Sequence, residues 1–331
     1  MLSLPAIQYI LNTVMHAYLV HPARLAAGPQ PFSLNDSDAY RRWRDTKLAR
    51  YPQRVEELIV ELRDPRAPSA AEIAALTRAC RAANMAIYSS SLASMADKDI
   101  PRRLGAHLGL HRLDVNPLAD EDGISSLNVA AGKAARGYIP YSNQRLLWHT
   151  DGYYNPPARR IRAFILHCVQ AAASGGGNRL LDHEIAYILL REANPDFIRA
   201  LSAPDAMTIP ANIEEDQEMR AAQSGPVFSF DADGDNAGEL HMRYTARTRS
   251  IEWRAGETTR TAVQFLQALL DGEGGSPYVF SHRLSAGQGL VCNNVLHNRS
   301  AFEDDAAHGV NRLLYRARYY DRIAATGLIP Q

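Results

Sequence analysis

Hydrophobic and polar residues alternate in short runs along much of the chain, a pattern typical of β-strands with one buried face. We predict strands at 58–62, 85–88, 126–129, 138–142, 146–151, 160–169, 226–231, 239–245, 278–284, 289–297 and 311–320. The runs at 226–231 and 239–245 flank an Asp233-Gly234 turn signal, which predicts a hairpin.

Helical spacing of apolar residues is confined to a few segments between these strands. We predict one helix that begins at Ser69 and ends near Asn84, and others at 100–108, 182–190, 195–201 and 257–270. Ser69 and Glu72 form a capping-box pattern at the start of the first helix. Many short strands with a few helices outside them favour a mainly β fold with flanking helices, built on a jelly-roll-like barrel.

The first 57 residues differ in character from the rest of the chain. Residues 4–20 predict an amphipathic helix that docks on the body of the protein or on a second subunit, so a homo-oligomer is left open. Residues 22–55 are rich in proline, arginine and aspartate and predict an irregular, wrapping arm. We therefore expect an N-terminal helix and arm at 1–57 and a single domain at 58–331.

Composition narrows the range of partners. The 36 basic and 36 acidic residues balance, so no basic excess indicates nucleic acid. The three cysteines, Cys80, Cys168 and Cys292, are far apart and odd in number, which favours a reducing compartment and a cytoplasmic location. Residues 4–20 are too short and polar for a membrane span and lack the basic leader of a signal peptide. We expect a small-molecule substrate, with no nucleic-acid or membrane partner.

The candidate chemistry begins at His149-Thr150-Asp151. If this segment is a strand, His149 and Asp151 point to the same face. His297, at the end of the predicted strand 289–297, supplies a second imidazole. Two histidines and one carboxylate on one side of a divalent ion leave other positions open, as in non-haem Fe(II) oxygenases. The His-x-Asp motif alone is weak evidence because this spacing also occurs by chance.

Two arginines follow on the last predicted strand. Arg312 and Arg316 share one face and lie about 13 Å apart on an extended chain. Buried guanidinium groups need anions, and their planar fork matches a carboxylate. A barrel with this metal site and these arginines favours a dicarboxylate that chelates the metal at one end, such as 2-oxoglutarate.

The motif at 149–151, His297 and the arginine pair together resemble the taurine dioxygenase-like (TauD/TfdA) family of Fe(II)/2-oxoglutarate-dependent oxygenases. The resemblance extends from about residue 58 to residue 322. It implies a double-stranded β-helix core of the jelly-roll or cupin kind. It also implies that both histidines and Asp151 are the Fe(II) ligands, that Arg312 binds the distal carboxylate of 2-oxoglutarate, and that O2 is consumed.

The resemblance suggests further residues around the site. Arg316 matches a position that holds an acidic group of the substrate in some members, although either Arg312 or Arg316 could anchor 2-oxoglutarate. Arg179 stands where the family often has a hydroxyl residue that helps to bind this cosubstrate. Further candidate substrate contacts are Tyr153, Tyr244 and Arg247.

We therefore predict a dioxygenase that acts on a small anionic or zwitterionic substrate, by hydroxylation or a related oxidation, and releases succinate and CO2. Because Asp151 fills the position that a halide would need, hydroxylation is favoured over halogenation. A non-catalytic sensor that binds a metal and an oxoacid on the same fold is the alternative. A metal-dependent hydrolase, active without oxygen, is a third reading. The sequence does not choose among small acids as the substrate.

Overall fold

The computed structural model describes residues 31–92, 96–115, 122–129, 139–214, 217–230, 238–247, 251–271 and 276–328. Six α-helices lie within these ranges: α1 Ser37–Arg50, α2 Ala70–Ala83, α3 Asp99–His107, α4 His183–Ala193, α5 Pro195–Leu201 and α6 Glu257–Asp271. The strands are β1 Ile59–Glu61, β2 Met85–Ser89, β3 Ser125–Leu127, β4 Leu146–His149, β5 Ala163–Gln170, β6 Ser174–Gly175, β7 Asn178–Leu181, β8 Met207–Ile209, β9 Asn212–Glu214, β10 Gln217–Arg220, β11 Gln223–Gly225, β12 Phe228–Phe230, β13 Leu240–Met242, β14 Glu252–Trp253, β15 Val279–His282, β16 Gln288–Cys292, β17 Leu296–Arg299, β18 Phe302–Glu303 and β19 Leu313–Tyr319.

Two sheets form the core of the molecule. The larger has the order β1-β2-β16-β5-β19-β3, and the smaller has the order β15-β7-β17-β4. Their pairings are antiparallel except that of β1 with β2. Side chains from both sheets, such as Phe164 of β5 and Leu180 of β7, belong to one buried cluster. The predicted mainly β, jelly-roll fold is confirmed.

Strand β5 is apolar on both faces, and this explains its position inside the larger sheet. Phe164 and Leu166 point into the cluster between the two sheets, whereas Ala163 and Ile165 point to a second cluster on the opposite face. Each fully buried side chain of this size contributes about 1.5–3 kcal/mol, apart from the smaller Ala163.

Helix α2 covers that opposite face of the larger sheet. The predicted capping box is present, because the Ser69 hydroxyl accepts from the Glu72 amide and the Glu72 carboxylate accepts from the Ser69 amide. Such a cap contributes about 1 kcal/mol. Leu76 and Cys80 are fully buried against the sheet. Asn84, with a φ of 56°, ends the helix and leads directly into β2.

Three predicted strands differ from the structure, and one of them, at 146–151, is a strand only as far as His149. The run at 138–142 contains a 3-10 helix, Ile139–Tyr141, because Pro140 fixes its own φ and has no amide hydrogen for a ladder. The run at 289–297 is divided between β16 in the larger sheet and β17 in the smaller sheet. The chain changes sheets at Asn294, whose φ is 51°.

The arm predicted to be irregular instead contains helix α1. Its inner side docks through Lys47, which forms ion pairs of 2.7 Å with Asp182 and 2.6 Å with Glu184. The pattern misses this helix because its buried positions include a lysine. The predicted helix at 4–20 and the Asp233-Gly234 turn lie outside the described residues, although β12 and β13 pair as the hairpin prediction requires. Across the ranges that the structure describes, no helix is both long and apolar enough to cross a bilayer.

Candidate metal centre

Two neighbouring strands of the smaller sheet bring the candidate ligands together. Strand β4 ends at His149, and His297 of β17 lies directly opposite in the antiparallel pairing. The chain then turns at Gly152, which has a φ of 69°. A Cβ at this position would lie 2.5 Å from Cγ1 of Ile161, so the turn requires glycine. This tight turn keeps Asp151 beside His149.

The three side chains form a compact, buried cluster. One ligand atom from each of His149, Asp151 and His297 lies within 4.8 Å of the other two. Nε2 of His149 is 3.6 Å from Oδ1 of Asp151, and the centroids of the two imidazole rings are 4.2 Å apart. The structure therefore brings together the three residues that the sequence predicts as ligands.

Hydrogen bonds to the backbone orient both imidazoles. Nδ1 of His149 lies 2.8 Å from the carbonyl oxygen of Leu147, and Nδ1 of His297 lies 3.0 Å from that of Val295. A carbonyl can only accept, so each Nδ1 carries the hydrogen. Nε2 of each ring then keeps its lone pair for a metal ion.

Asn294 holds the backbone around Asp151. Its side-chain oxygen accepts from the Asp151 amide at 2.7 Å, and its side-chain nitrogen donates to the carbonyls of Asp151 at 2.9 Å and Ile161 at 2.7 Å. Sequence reasoning did not include this residue in the site. The available signal was the tolerance of asparagine for a positive φ, just where the chain leaves β16.

Burial and neighbouring charges set the protonation states of the cluster. Burial, with a further contribution from His149, lowers the pKa of His297 to about 3, so this imidazole is neutral near pH 7. Burial alone would raise the pKa of Asp151, but Arg316 and the contact with His149 hold that pKa well below its usual range. A neutral imidazole and an ionised carboxylate are the forms that bind metals.

The cluster fits a divalent transition-metal ion. Oδ2 of Asp151 is buried without a hydrogen-bond partner in the described part of the chain, although a guanidinium nitrogen of Arg316 approaches to 3.4 Å. Electron-pair donors that face one another in a buried site are costly unless a cation lies between them. Two imidazole nitrogens and one carboxylate match the donor set of non-haem Fe(II).

Three arginines reach the interior from the last strand and the residue before it. Arg316 pairs with Asp151, and Arg318 pairs with Asp114. Arg312 is only 5 % exposed, and its Nη1 has no hydrogen-bond partner within the described ranges. Burial lowers the pKa of Arg312 to about 10. Of these three arginines, Arg312 is the one without an ion pair among the described residues.

Arg299, which sequence reasoning missed, lies near Arg312. The guanidinium carbons of both arginines are 4.9 Å from the ring centroid of Phe302. Arg299 donates to the carbonyls of Ser142 and Gln144. Burial, followed by the charge of Arg312, lowers the pKa of Arg299 to about 9. Two buried cations on one ring create a local preference for an anion.

The remaining predicted residues lie at different distances from the cluster. The ring of Tyr153 contacts that of His149 edge-on, with centroids 6.4 Å apart. Arg179 pairs with Asn298, so it points to the face of the smaller sheet opposite His297. Its guanidinium lies over Trp148, 5.3 Å from the ring centroid. The structure thus does not bring Arg179 to the cluster.

Tyr244 and Arg247 are also not brought to the cluster. Thr245 forms a bridge with His149 and shares its side, so Tyr244 points the other way and packs near Trp253. The backbone of Tyr244 nevertheless supports the ligand strand, because its carbonyl accepts from the Thr150 amide at 3.0 Å. Arg247 is exposed.

The fold and the donor set define a class of protein, in which a jelly-roll core presents two histidines and one carboxylate that could hold a single metal ion. The chain belongs to the taurine catabolism dioxygenase TauD, TfdA family, whose model matches residues 92–318. The predicted family is therefore confirmed.

Individual relatives are similar over different parts of the chain. The chain is 35% identical to a uridine-5'-phosphate dioxygenase from Amycolatopsis sp over 176 residues, which are 51% of this chain and 60% of that protein. The match thus spans less than two thirds of that relative. A solved taurine dioxygenase from Burkholderia xenovorans has 17% identity and a TM-score of 0.51, covering 80% of this chain and 86% of that one. The non-heme iron oxygenase OrfP, solved with Fe and alpha-ketoglutaric acid, has 15% identity and a TM-score of 0.51, with coverages of 71% and 74%. The two structures show the fold.

Proposed function

We propose that this protein is an Fe(II)/2-oxoglutarate-dependent dioxygenase that oxidises a small anionic substrate and releases succinate and CO2. The observation that carries the proposal is the buried cluster of His149, Asp151 and His297, whose ligand atoms lie within 4.8 Å of one another. Membership of a dioxygenase family supports the same reading. Membership of this family does not favour a non-catalytic sensor.

His149, Asp151 and His297 would hold the iron. When bound, iron and 2-oxoglutarate supply the oxidising chemistry by activating O2. The protein contributes orientation and exclusion of water. The Nδ1 hydrogen bonds of both histidines fix the direction of their lone pairs. Asn294 fixes the backbone of Asp151, and the largely buried Tyr153 shields the His149 side.

Arg312 is the proposed anchor for the distal carboxylate of 2-oxoglutarate. Arg312 has no ion pair within the described residues and its buried Nη1 lacks a hydrogen-bond partner there, whereas Arg316, although its Nε is also without one, is already paired with Asp151. The neighbouring charge of Arg299 adds to the attraction for an anion. The alpha-ketoglutaric acid in the OrfP structure supports a cosubstrate of this kind.

The substrate is proposed to carry a strongly acidic group. The relatives are named for uridine-5'-phosphate and for taurine, which bear a phosphate and a sulfonate. Arg316 and Tyr153 stay candidate substrate contacts, since both adjoin the cluster. Arg179, Tyr244 and Arg247 have no comparable support.

We also propose a cytoplasmic enzyme with one oxygenase domain at 58–331. Three free, buried cysteines are typical of a reducing compartment. The docking of α1 on α4 through Lys47 supports an N-terminal arm that wraps this domain. A homo-oligomer through residues 4–20 remains a proposal without support from the described residues.

The test of the function is succinate formation from 2-oxoglutarate with Fe(II) and O2, in the presence of candidate acids. We expect the wild type to form succinate, and Asp151→Ala to form none because the iron loses its carboxylate. Asp205→Ala is the matched control, because Asp205 is an exposed aspartate with an ion pair to Arg254. Succinate formation by Asp151→Ala at the wild-type rate would exclude the proposal.

The test of the anchor is the concentration of 2-oxoglutarate needed for half-maximal turnover. Arg312→Gln removes a charge-assisted contact, so we expect this concentration to rise about 10- to 100-fold. Arg254→Gln, at an exposed position, should leave it unchanged. If instead Arg316→Gln produces the rise and Arg312→Gln does not, Arg316 is the anchor.

A further inference from the structure

The carboxylate ligand lies in a tight turn at residues 151–155, which we call the ligand turn. The amide of Asn155 donates to the carbonyl of Gly152 at 2.8 Å and closes this turn. Tyr153 lies within it, with its ring edge-on to that of His149 at a centroid distance of 6.4 Å. Residues of the turn also line an open cavity of about 410 Å³. The ligand turn therefore forms one wall of the open space beside the metal cluster.

Tyr154, which follows Tyr153, fastens the ligand turn to the last strand. Its hydroxyl accepts from Nη1 of Arg318 on β19 at 3.0 Å. Its ring packs edge-on against that of Tyr153, with centroids 5.1 Å apart. The hydrogen bond joins two residues that are 164 positions apart in the chain. The placement of Tyr153 beside the metal cluster is thus linked to a contact with β19.

Arg318 is itself held by a buried carboxylate. Its Nη2 donates to Oδ2 of Asp114, and the side chains of Arg318 and Asp114 are only 4% and 1% exposed. Oδ1 of Asp114 accepts from the hydroxyl of Tyr320. A guanidinium that is paired with a carboxylate has a fixed direction, because its donors form a rigid planar fork. The pair therefore directs Nη1 of Arg318 toward Tyr154.

Backbone hydrogen bonds fix the position of Asp114. Its amide donates to the carbonyl of Arg318 at 2.8 Å, and the amide of Tyr320 donates to the carbonyl of Arg112 at 2.9 Å. The segment at 111–114 consequently lies along the end of β19. The carboxylate that orients Arg318 thus belongs to backbone that is hydrogen-bonded to the strand itself.

The charge of Arg318 also reaches the metal cluster. Arg318 follows Arg316 by two residues on β19 and points to the same face. Burial would raise the pKa of Asp151, whereas Arg316, the contact with His149 and then Arg318 lower it. A buried ion pair is weak evidence for stability, since packed apolar residues often serve as well. The position of this pair, between the metal cluster and the ligand turn, indicates a role in orientation.

We propose that Asp114, Arg318 and Tyr154 are positioning residues that hold the ligand turn, and with it Tyr153, against the metal cluster. The proposal rests on the proposed function for the identity of the site as a metal centre. A segment opens locally when the few contacts that hold it are broken. Loss of the contact at Tyr154 should therefore expose the metal cluster to solvent more often.

The contact at Tyr154 should control access to the metal and not its affinity. Asp151 has a separate support, because Asn294 accepts from its amide at 2.7 Å and donates to its carbonyl at 2.9 Å. The two imidazoles are oriented by carbonyls of their own segments. An open turn would therefore let a metal ion enter and leave faster by the same factor, which leaves its dissociation constant unchanged.

The first test compares the wild type with Tyr154→Phe, which removes the hydroxyl and keeps the ring. Fe(II) is bound without oxygen, and its rate of transfer to EDTA is measured together with its dissociation constant. We expect the rate to rise about 10- to 100-fold, as for one lost hydrogen bond to a charged group, at an unchanged dissociation constant. Tyr40→Phe is the matched control, because it removes a hydroxyl that is bonded to the charged Glu192 on another part of the fold.

A second variant tests the arginine. Arg318→Lys keeps a positive charge near Asp114 but lacks the fork that also reaches Tyr154. It should accelerate iron transfer, and the double variant with Tyr154→Phe should be no faster than the faster single variant, because both break one contact. Equal transfer rates in the wild type and Tyr154→Phe would overturn the proposal. A faster transfer that is matched by an equal loss of affinity would also overturn it.

Amide hydrogen exchange of the metal-free protein separates this proposal from the proposed function. The amide of Asn155 should exchange about 10- to 100-fold faster in Tyr154→Phe than in the wild type or Tyr40→Phe, while the amides of β5 keep their rates. Unchanged exchange at Asn155 would overturn the proposal, whether or not the protein binds iron. If exchange rises in a protein that binds no iron, the support of the ligand turn stands and the proposed function fails.

Discussion

Two buried clusters of charged and polar side chains lie on either side of the Asn293-Asn294 turn, and they differ in how their charges are balanced. The first, which we call the Lys47 network, contains Lys47, Asn84, Asp182, Glu184, Asn293 and Arg322. The second is the metal cluster of His149, Asp151 and His297. Both are buried, so both would be costly to leave unpaired.

The Lys47 network is balanced by the protein itself. Lys47 contacts Asp182 and Glu184, and Arg322 lies 3.7 Å from Glu184. The metal cluster instead collects three electron-pair donors, with Arg316 outside them as the nearest paired cation. Burial of charge therefore does not by itself mark a functional site. The distinguishing feature is a set of electron-pair donors that face one another with no cationic side chain of the described residues between them.

The largest expected effect is on the stability of the Lys47 network. Lys47→Met leaves Asp182 and Glu184 buried with less compensation, so we expect unfolding to become easier by about 3–5 kcal/mol. The measurement is denaturant unfolding of the metal-free protein. Lys98→Met, at a more exposed lysine, is the matched control. A loss below about 1 kcal/mol for Lys47→Met would mean that the network is not needed for stability.

Binding of a metal ion at the metal cluster should stabilise the folded protein. Fe(II) added without oxygen at 100 times its dissociation constant should stabilise the wild type by about 2.7 kcal/mol, because the ion binds the folded state. A chelator should reverse the gain. His297→Ala should abolish it, whereas His308→Ala, at an exposed histidine, should retain it. An equal gain in His297→Ala would place the metal elsewhere.

Substitutions of the adjacent residues Asn293 and Asn294 should affect the two clusters differently. Asn294 supports Asp151, whereas Asn293 donates to Asn84 and Thr326. We expect Asn294→Ala to weaken metal binding about 10- to 100-fold, as is typical when support of a ligand is lost. Asn293→Ala should lower stability and leave metal affinity unchanged. Equal metal affinities in the two variants would contradict this division.

The smallest expected effect is the response of the Lys47 network to acid. Burial would raise the pKa of Glu184, but Lys47 and Arg322 lower it to about 2, below its ordinary value of 4.5. The stabilisation from this group is therefore complete above the ordinary pKa and is lost as the pH falls toward 2. Between pH 5 and pH 4 the loss should be less than about 1 kcal/mol. Unfolding curves across this range provide the measurement, and an unchanged slope in Glu184→Gln would contradict the assignment.

Local patterns predicted the parts of the fold that local physics controls. The capping box at Ser69, the helix end at Asn84 and most strands follow from side-chain chemistry within a few residues. The sequence predicted His149 and Asp151 on one face of a strand, whereas β4 ends at His149 and the turn at Gly152 brings Asp151 beside it. The division of residues 289–297 between two sheets was not predicted, because an apolar run does not show which sheet each half joins.

The orientation of Arg179 is a second feature that local sequence patterns do not predict. Its position in the chain suggested a contact with the cosubstrate, but the register of β7 against β17 turns it to the opposite face. A shift of one residue in register reverses the face of every side chain in a strand.

The sequence by itself determined the family, the jelly-roll class and the identities of the three metal-binding candidates, because these depend on residue types and spacings that the chain displays directly. Only the tertiary structure decided which arginine among 312, 316 and 318 has no ion pair within the described residues, and which faces the strands present. Those features arise from strand register and from contacts between distant segments, and neither is encoded in any short stretch of the chain.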